Sequence, residues 1–285
     1  LGRTPGNITA NRPMRDGVIA DYEVTEAMLR YFIDRVCGSS RIFKPEVMIC
    51  VPAGVTQVER RAVLDATLSA GAKVAYLIDE PLAAAIGAKI PIASPSGSLI
   101  VDIGGGSTEA AVISLGGVVA HKSARVAGNK IDEAIQAYVK KKYNLMIGER
   151  TAEEIKITIG SALPDKSDKE QNMEVRGRDN ASGLPRMINL TSDEVVEAIT
   201  GTLSQIINAV KGVLEETPPE LASDIIDKGI VLSGGTSTLR NLDKLMTHTI
   251  GVPVHVADDP LFCVVKGCGV AIENIESYRK SVSRK

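Results

Sequence analysis

Apolar residues along the first third of the chain switch between two periods. In "DYEVTEAMLRYFIDRV", residues 21–36, Val24, Met28, Tyr31, Phe32 and Val36 share one stripe at helical spacing, and Gly38 closes the run. "EVMICVP" follows as a short unbroken apolar run, the pattern of a strand covered on both faces. Thr56-Gln57-Val58-Glu59 is a capping box, so a helix is expected from there to about Ala70, ended by Gly71. "AKVAYLID" reads as the next strand, and Pro81 sits in the first turn of the Ala-rich helix "EPLAAAIGAK". Strand, helix, strand, helix predicts an α/β fold with helices packed on a parallel-type sheet.

At Ser98 the rhythm breaks. "SLIVDIGGGSTEAAVISLGG" has the strand, aspartate and glycines of a dinucleotide-binding turn, yet the residues after the glycines alternate as a strand and not as a helix. The stretch from Leu99 to about Ala124 is therefore expected to be a β-meander. Helices are expected at 129–146 and 151–162, mixed strand and turn at 164–189, and a second capping box at Thr191-Ser192-Asp193-Glu194 opens a helix to about Glu216, stopped by Pro218-Pro219. "KGIVLSGGTSTLRNLDKLMTHTIG" reads as strand, glycine turn and helix. Two such regimes suggest two related lobes.

Composition narrows the classes. The 285 residues are 44% hydrophobic and 24% charged, with three Phe, no Trp and a formal net charge of −2, which argues against a nucleic-acid partner. No apolar run approaches the roughly 18 residues of a membrane span, and no secretory signal is visible. Cys37, Cys50, Cys263 and Cys268 lack metal-like spacing; Cys50 reads as a buried small hydrophobe, and a reducing, cytoplasmic setting is expected.

The glycines carry the chemistry. A hairpin turned by Gly104-Gly105-Gly106 can bring backbone N–H groups against a phosphate because no Cβ intervenes. Ser107 and Thr108 add hydroxyls, and Asp102 stands where it can hold Mg²⁺ through water. The alternative is a tight turn that merely needs glycine. Ser233-Gly234-Gly235-Thr236-Ser237, between a strand and a helix, can face an anion or an adenosine group. Together the two sites describe a cleft gripping ATP from two sides. Glu80, at the start of its helix beside the hairpin, suits a water-orienting carboxylate or simply an acidic residue at a helix N-terminus.

In order and spacing, "RPMRDGVIADYEVTEAMLRYFI", "VPAGVTQVERRAV", "DEPLAAAIGA", "VDIGGGSTEAAVISLGG", "ERTAEEIKITIGSA", "GLPRMINLTSDEV", "GIVLSGGTSTLRNLD" and "DPLFCVVKGCGVAIEN" resemble the MreB-type bacterial actins, within the actin, sugar-kinase and heat-shock-chaperone superfamily. The resemblance runs along essentially the whole chain. It implies an actin-like two-lobe α/β fold, each lobe a mixed sheet flanked by helices, with the nucleotide cleft between the lobes. Residues 1–97 completed by 258–285 would form the first lobe, 98–128 with 228–257 the core of the second, and 129–227 its inserted subdomain.

The resemblance implies ATP and Mg²⁺ as ligands, with Asp102 on the metal side. Glu80 and Ser107 would be catalytic, Asp102 to Thr108 the phosphate loop, Glu153, Glu154 and Lys156 the ribose and adenine helix, and Gly234, Gly235, Thr236 and Ser237 the adenosine motif. It further implies an ATP hydrolase coupled to polymerisation, with self-association into filaments and partners among cell-wall synthesis and shape-determining membrane proteins. The expected location is the cytoplasmic face of the cell membrane. Ile42 and Phe43, between Arg41 and Lys44, suit shallow insertion among anionic lipids as well as folding back on the neighbouring helix; the family places a membrane-inserting loop there.

Two departures qualify the likeness: Ser107 stands for the usual Thr, and Thr236 for a third glycine. The family's first phosphate hairpin, Asp-x-Gly-Thr, has no counterpart in the chain, whose first residues read as the middle of a loop. The expectation is that this hairpin lies upstream, and that residues 1–285 alone fold and hydrolyse ATP poorly. A small-molecule kinase or a chaperone-type ATPase on the same fold is the alternative.

Overall fold

The apolar runs assemble into two mixed sheets with helices packed against them. The computed structural model describes residues 5, 7–15, 17–39, 43–164, 171–279 and 281–284. In chain order the elements are β1 (Met14–Arg15), β2 (Val18–Ile19), α1 (Tyr22–Cys37), β3 (Glu46–Val51), α2 (Gln57–Ser69), β4 (Val74–Asp79), α3 (Glu80–Gly87), β5 (Ser98–Ile103), β6 (Thr108–Ser114), β7 (Gly117–Ala124), α4 (Gly128–Tyr143) and β8 (Leu145–Met146). The second half adds α5 (Glu149–Ile159), β9 (Asn172–Asp179), β10 (Pro185–Thr191), α6 (Ser192–Glu216), α7 (Pro219–Lys228), β11 (Ile230–Ser233), α8 (Leu242–Ile250), β12 (Val254–Val256), α9 (Cys263–Glu273), α10 (Ile275–Tyr278) and β13 (Val282–Arg284).

Local chemistry sets the helix starts. Asp21 accepts a hydrogen bond from the Val24 N–H at 3.1 Å to open α1. Both capping boxes form: Glu59 Oε2 accepts from the Thr56 N–H at 2.7 Å, and Glu194 Oε2 from the Thr191 N–H at 2.8 Å. Pro219 sits in the first turn of α7, so the proline pair that stops α6 also starts a helix the pattern did not suggest. The helix expected at 129–146 ends at Tyr143, where Asn144 turns left-handed, and Leu145–Met146 joins a sheet with β9.

Two expectations about burial fail. On α1 the core side is Thr25 and Ile33, whereas Tyr31, Phe32 and Val36 of the supposed stripe are exposed. Among the described residues β3 stands at the end of the β13–β4–β3 sheet and is mostly half-buried, not covered on both faces, and Cys50 is half-buried with it. β4 takes the central place, parallel to β3 and antiparallel to β13.

The larger sheet runs β12–β11–β5–β6–β7, with the first three strands parallel and the last three forming the expected meander. All six residues of β5 are buried, and alternation divides them between two cores. Leu99, Val101 and Ile103 join α4, α5, α6 and α8; Ile100 turns the other way, to Leu82 and Ala83 of α3 and Ala271 of α9. Asp102 has the parity of Ile100. It is thereby aimed at the α3 side.

α3 and α9 touch backbone to backbone. A Cβ added to Gly267 would lie 1.8 Å from the Ala83 carbonyl oxygen, and one on Gly87 would lie 1.8 Å from that of Cys263. No side chain fits at either place. Gly267→Ala should therefore destabilise the protein by about 3 kcal/mol in urea unfolding, since the helices must separate. Gly269→Ala, one turn face away with nothing within 4 Å, serves as the control; it should be neutral or stabilise by up to about 1 kcal/mol. Equal effects at the two positions would contradict the contact.

Candidate nucleotide site

A single row crosses the larger sheet at the end of β5. Ser233, Asp102, Glu109 and Ser123 are successive cross-strand partners on β11, β5, β6 and β7. Ser233 Oγ donates to Asp102 Oδ1 at 2.6 Å, and Ser123 Oγ to Glu109 Oε1 at 2.5 Å. The two carboxylates are 4% and 1% exposed, and Glu109 Oε2 has no hydrogen-bond partner among the described residues.

Two buried acids side by side, with a third close by, raise one another's pKa. Burial pushes Asp102 up, against the Ser233 hydroxyl that holds it down. Burial raises Glu109 to about 6, opposed by the Ser123 hydroxyl and the Ala53 N–H and helped by Asp102 and Asp79. Glu80 rises to about 7, first by burial and then by the charges of Asp102 and Glu109. The site holds more negative charge than its surroundings can solvate, and so favours a cation. Glu109 escaped the sequence reading. Its signal was a charged residue inside the otherwise apolar strand "TEAAVIS", in register with Asp102 across the turn.

Asp102 of this row lines a cavity of about 700 Å³. Glu80, Asp102, Gly104, Gly105, Glu153, Lys156, Gly234, Gly235 and Thr236 line it together, from positions scattered over the chain. Gly128, Asn129, Gly160 and Arg240 add polar lining that was not among the expected site residues, and Ile157, Leu239, Leu261 and Val264 add apolar lining. A cavity lined by glycine backbone, carboxylates and apolar side chains together offers surfaces for the phosphates and for the base of a nucleotide.

The two glycine loops are fastened to each other. Thr236 Oγ1 donates to the Gly104 carbonyl at 2.7 Å, so the residue in place of a third glycine supplies a clip between the adenosine turn and the phosphate hairpin. Gly234 has φ +84° and its Cβ position is 2.3 Å from the Ile103 carbonyl oxygen, which only glycine tolerates. Lys156 Nζ reaches Asp132 Oδ2 at 3.0 Å and the Gly128 carbonyl at 3.2 Å, fixing α5 against α4 at the cavity wall.

Other expected residues stand elsewhere. The buried Thr108 hydroxyl donates to the Val126 carbonyl at 2.6 Å, so it is spent on the fold and is not a free donor to a ligand. Ser237 likewise donates to the Gly234 carbonyl at 2.6 Å inside its own turn. Glu154 is exposed on α5 outside the cavity lining, as is half-buried Gly106 outside it on the hairpin. Ser107 lies toward the smaller sheet: its hydroxyl would be 3.3 Å from a Cβ on Gly17 in the β1–β2 turn, beside Pro52. Glu80 is the first residue of α3, with Asp79 as the cap. Phe43 is 87% exposed, and Ile42 lies outside the described residues.

Among the described residues no group of three or more His, Cys, Asp or Glu could enclose a metal ion. One buried carboxylate beside a phosphate-sized space nevertheless fits Mg²⁺, which keeps several waters and is commonly held by one or two carboxylates and the substrate's phosphates.

The chain matches the family model for MreB/Mbl protein over residues 1–280. It is 54% identical over 279 residues to the cell shape-determining protein MreB of Escherichia coli K12, covering 98% of this chain and 80% of that one. Against the cell shape-determining protein Mbl of Bacillus subtilis 168 the identity is 49% over 280 residues, covering 98% and 84%. Among solved structures, MreB5 of Spiroplasma citri bound to ADP superposes with a TM-score of 0.91 at 38% identity, covering 98% of this chain and 84% of that one. The MamK double helical filament, at 22% identity and a TM-score of 0.77, shares the fold, covering 93% and 80%. The actin-like fold of the chain is thereby established.

The charge of Glu80 has a measurable consequence. Its folded-state pKa lies above the ordinary 4.5, at about 7, so the folded protein binds this proton more tightly than the unfolded chain. That stabilisation is complete below 4.5 and is lost as the pH rises through 7. In nucleotide-free, metal-free protein, Glu80→Gln should add about 2 to 3 kcal/mol at pH 8 relative to its effect at pH 4.5. Unfolding titrations at the two pH values measure it; equal effects would remove the buried charge.

Proposed function

The chain belongs to the MreB/Mbl family, and on that premise we propose that it is an ATP-hydrolysing, filament-forming cytoskeletal protein that maintains rod cell shape by organising cell-wall synthesis at the membrane. The observation that carries this is the 54% identity to a cell shape-determining protein over almost the whole chain, joined to a cavity with surfaces for the phosphates and the base of a nucleotide. The MreB5 structures bound to ADP and AMPPNP support the nucleotide.

In this reading the Gly104 and Gly105 backbone faces the phosphates, and the apolar lining with Leu239 and Leu261 takes the base beside Glu153 and Lys156. Glu80, ionised, orients the attacking water. Bound Mg²⁺ would supply charge neutralisation at the phosphates, with Asp102 holding it through water. Asp102 and Glu109 are ready for that charge because the fold leaves them under-compensated. Ser107 adds a hydroxyl at the boundary with the smaller sheet. A sugar-type kinase would need a further base for a substrate hydroxyl; Asp79, the nearest acid on β4, is held by Arg60 at 2.5 Å.

We propose the lobe division expected from the sequence: 1–97 with 258–285, 98–128 with 228–257, and 129–227 inserted. Two features support it, the pairing of β13 with β4 and the packing of α9 on α3. Among the described residues no helix is long and apolar enough to cross a membrane. Attachment at the inner face of the membrane would then be peripheral, through exposed Phe43 and its neighbour Ile42, and multiplied by the many copies in a filament. Self-association, cell-wall synthesis proteins and shape-determining membrane proteins are the proposed partners.

The full-length protein should pellet with ATP and Mg²⁺ and remain in the supernatant without nucleotide; pelleting indifferent to nucleotide would overturn the filament reading. Glu80→Ala should leave ATP binding intact while phosphate release falls about a hundredfold. Undiminished release would take Glu80 out of the mechanism. With anionic liposomes, Ile42→Ser together with Phe43→Ser should abolish most lipid co-sedimentation while filaments still pellet without lipid. Unchanged lipid binding would return the loop to packing.

A further inference from the structure

The end of α5 is fastened by a side chain from a distant part of the chain. Arg240 stands two residues past the one-turn helix Gly235–Thr238 that follows the adenosine glycines. Its Nε donates to the Gly160 carbonyl at 3.1 Å and its Nη2 to the Ile159 carbonyl at 3.3 Å. Nη2 also donates at 3.0 Å to the hydroxyl of Ser192, the first residue of α6, and that hydroxyl donates to the same Ile159 carbonyl at 2.8 Å. The Arg240 carbonyl accepts from the Ala162 N–H at 2.7 Å. Side chain and backbone together clasp residues 159–162.

The chemistry of the clasp calls for arginine. Carbonyls at a helix C-terminus have no partners within the helix and carry the negative end of its dipole. A guanidinium meets several oxygens at once with donors in a fixed planar fork, which the single ammonium of lysine does not reproduce. All three side-chain partners of Arg240 are neutral oxygens, so its charge is spent on the end of α5.

What the clasp holds is lining of the cavity. Glu153, Lys156 and Ile157 line it from α5, while Leu239 and Arg240 line it from the other segment. The two segments meet closely, since a Cβ added to Gly160 would lie 3.1 Å from Leu239 Cδ1. The phosphate hairpin is fastened by other bonds. There the Gly128 and Asn129 N–H groups donate to the Gly104 and Gly105 carbonyls at 3.1 and 2.8 Å, and Arg240 makes none of these.

We propose that Arg240 is a positioning residue for the nucleoside part of the ligand: by clasping the end of α5 to the segment that carries Leu239, it sets the spacing of the lining where the base sits. This rests on the nucleotide reading above and gives Arg240 a part at the base alone. Without the guanidinium, two carbonyls lose a charged donor and α5 is free to shift against Leu239. The hairpin that faces the phosphates keeps its own fastenings.

The test uses the full-length protein with three probes, ATP with Mg²⁺, adenosine and tripolyphosphate, each read by displacement of a fluorescent ATP analogue. In Arg240→Ala, ATP and adenosine should bind roughly thirtyfold more weakly, the order of a lost charge-assisted hydrogen bond, with tripolyphosphate unchanged. Arg240→Lys should stay closer to Arg240→Ala than to wild type, because the ammonium lacks the fork. Ser192→Ala, which removes one acceptor and leaves the guanidinium in place, should show the same pattern at smaller amplitude. Equal losses for all three probes, as a general loosening of the fold would give, or no loss for any, would overturn the positioning role. Wild-type protein that binds none of the three would overturn the nucleotide reading itself, a result distinct from any pattern among the variants.

Discussion

Burial of β5 on both faces is the constraint on which the rest of the molecule depends. A strand with water on one side could have carried Asp102 at little cost, but the carboxylate would then have been solvated and indifferent to a ligand. Here Leu99, Val101 and Ile103 complete one core and Ile100 the other, so the strand cannot slip by one residue without burying the wrong set. The aspartate is delivered to the cavity by the same alternation that builds the two cores. The glycine hairpin inherits its position because it joins β5 to β6, and the adenosine turn because β11 pairs beside β5.

Electrostatics in the cavity follow from that placement. Serine hydroxyls at the two ends of the row satisfy one oxygen of each carboxylate. Both carboxylates are buried, and Glu80 feels both charges. A cation bound among these carboxylates would favour their charged forms, so in the proposed reading its binding and the ionisation of Glu80 would be linked. The Thr236 clip holds the Gly234–Gly235 turn and the Gly104–Gly105 hairpin at one spacing, which would lower the ordering cost of a ligand that touches both.

Much of this was legible in the chain. The two capping boxes, the meander and the glycine turns rest on short-range stereochemistry, and they formed where their residues stand. The resemblance located the cavity wall as far as Glu153 and Lys156. What escaped was set by distant packing. The stripe on α1 has helical period, yet among the described residues Tyr31, Phe32 and Val36 stay exposed, because periodicity reports a face and not what covers it. β13 is too short to register as a strand until β4 offers it a ladder. Thr108 and Ser237 looked like ligand donors since a hydroxyl beside glycine does; only the folded chain shows that backbone carbonyls had claimed them. Glu109 was hidden by the habit of reading a charge in a strand as pointing to solvent.

The contact between α3 and α9 has a consequence for how the family's sequences can diverge. Where backbone meets backbone, neither helix has a side chain to trade, so compensation by a neighbour, the ordinary route of drift in a core, is closed. Gly87 and Gly267 must persist together, and α3 between them is confined to alanine and other small residues along that face. The stretch of chain that presents Glu80 is thereby held in place by a mechanical constraint of its own, separate from any chemistry at the carboxylate.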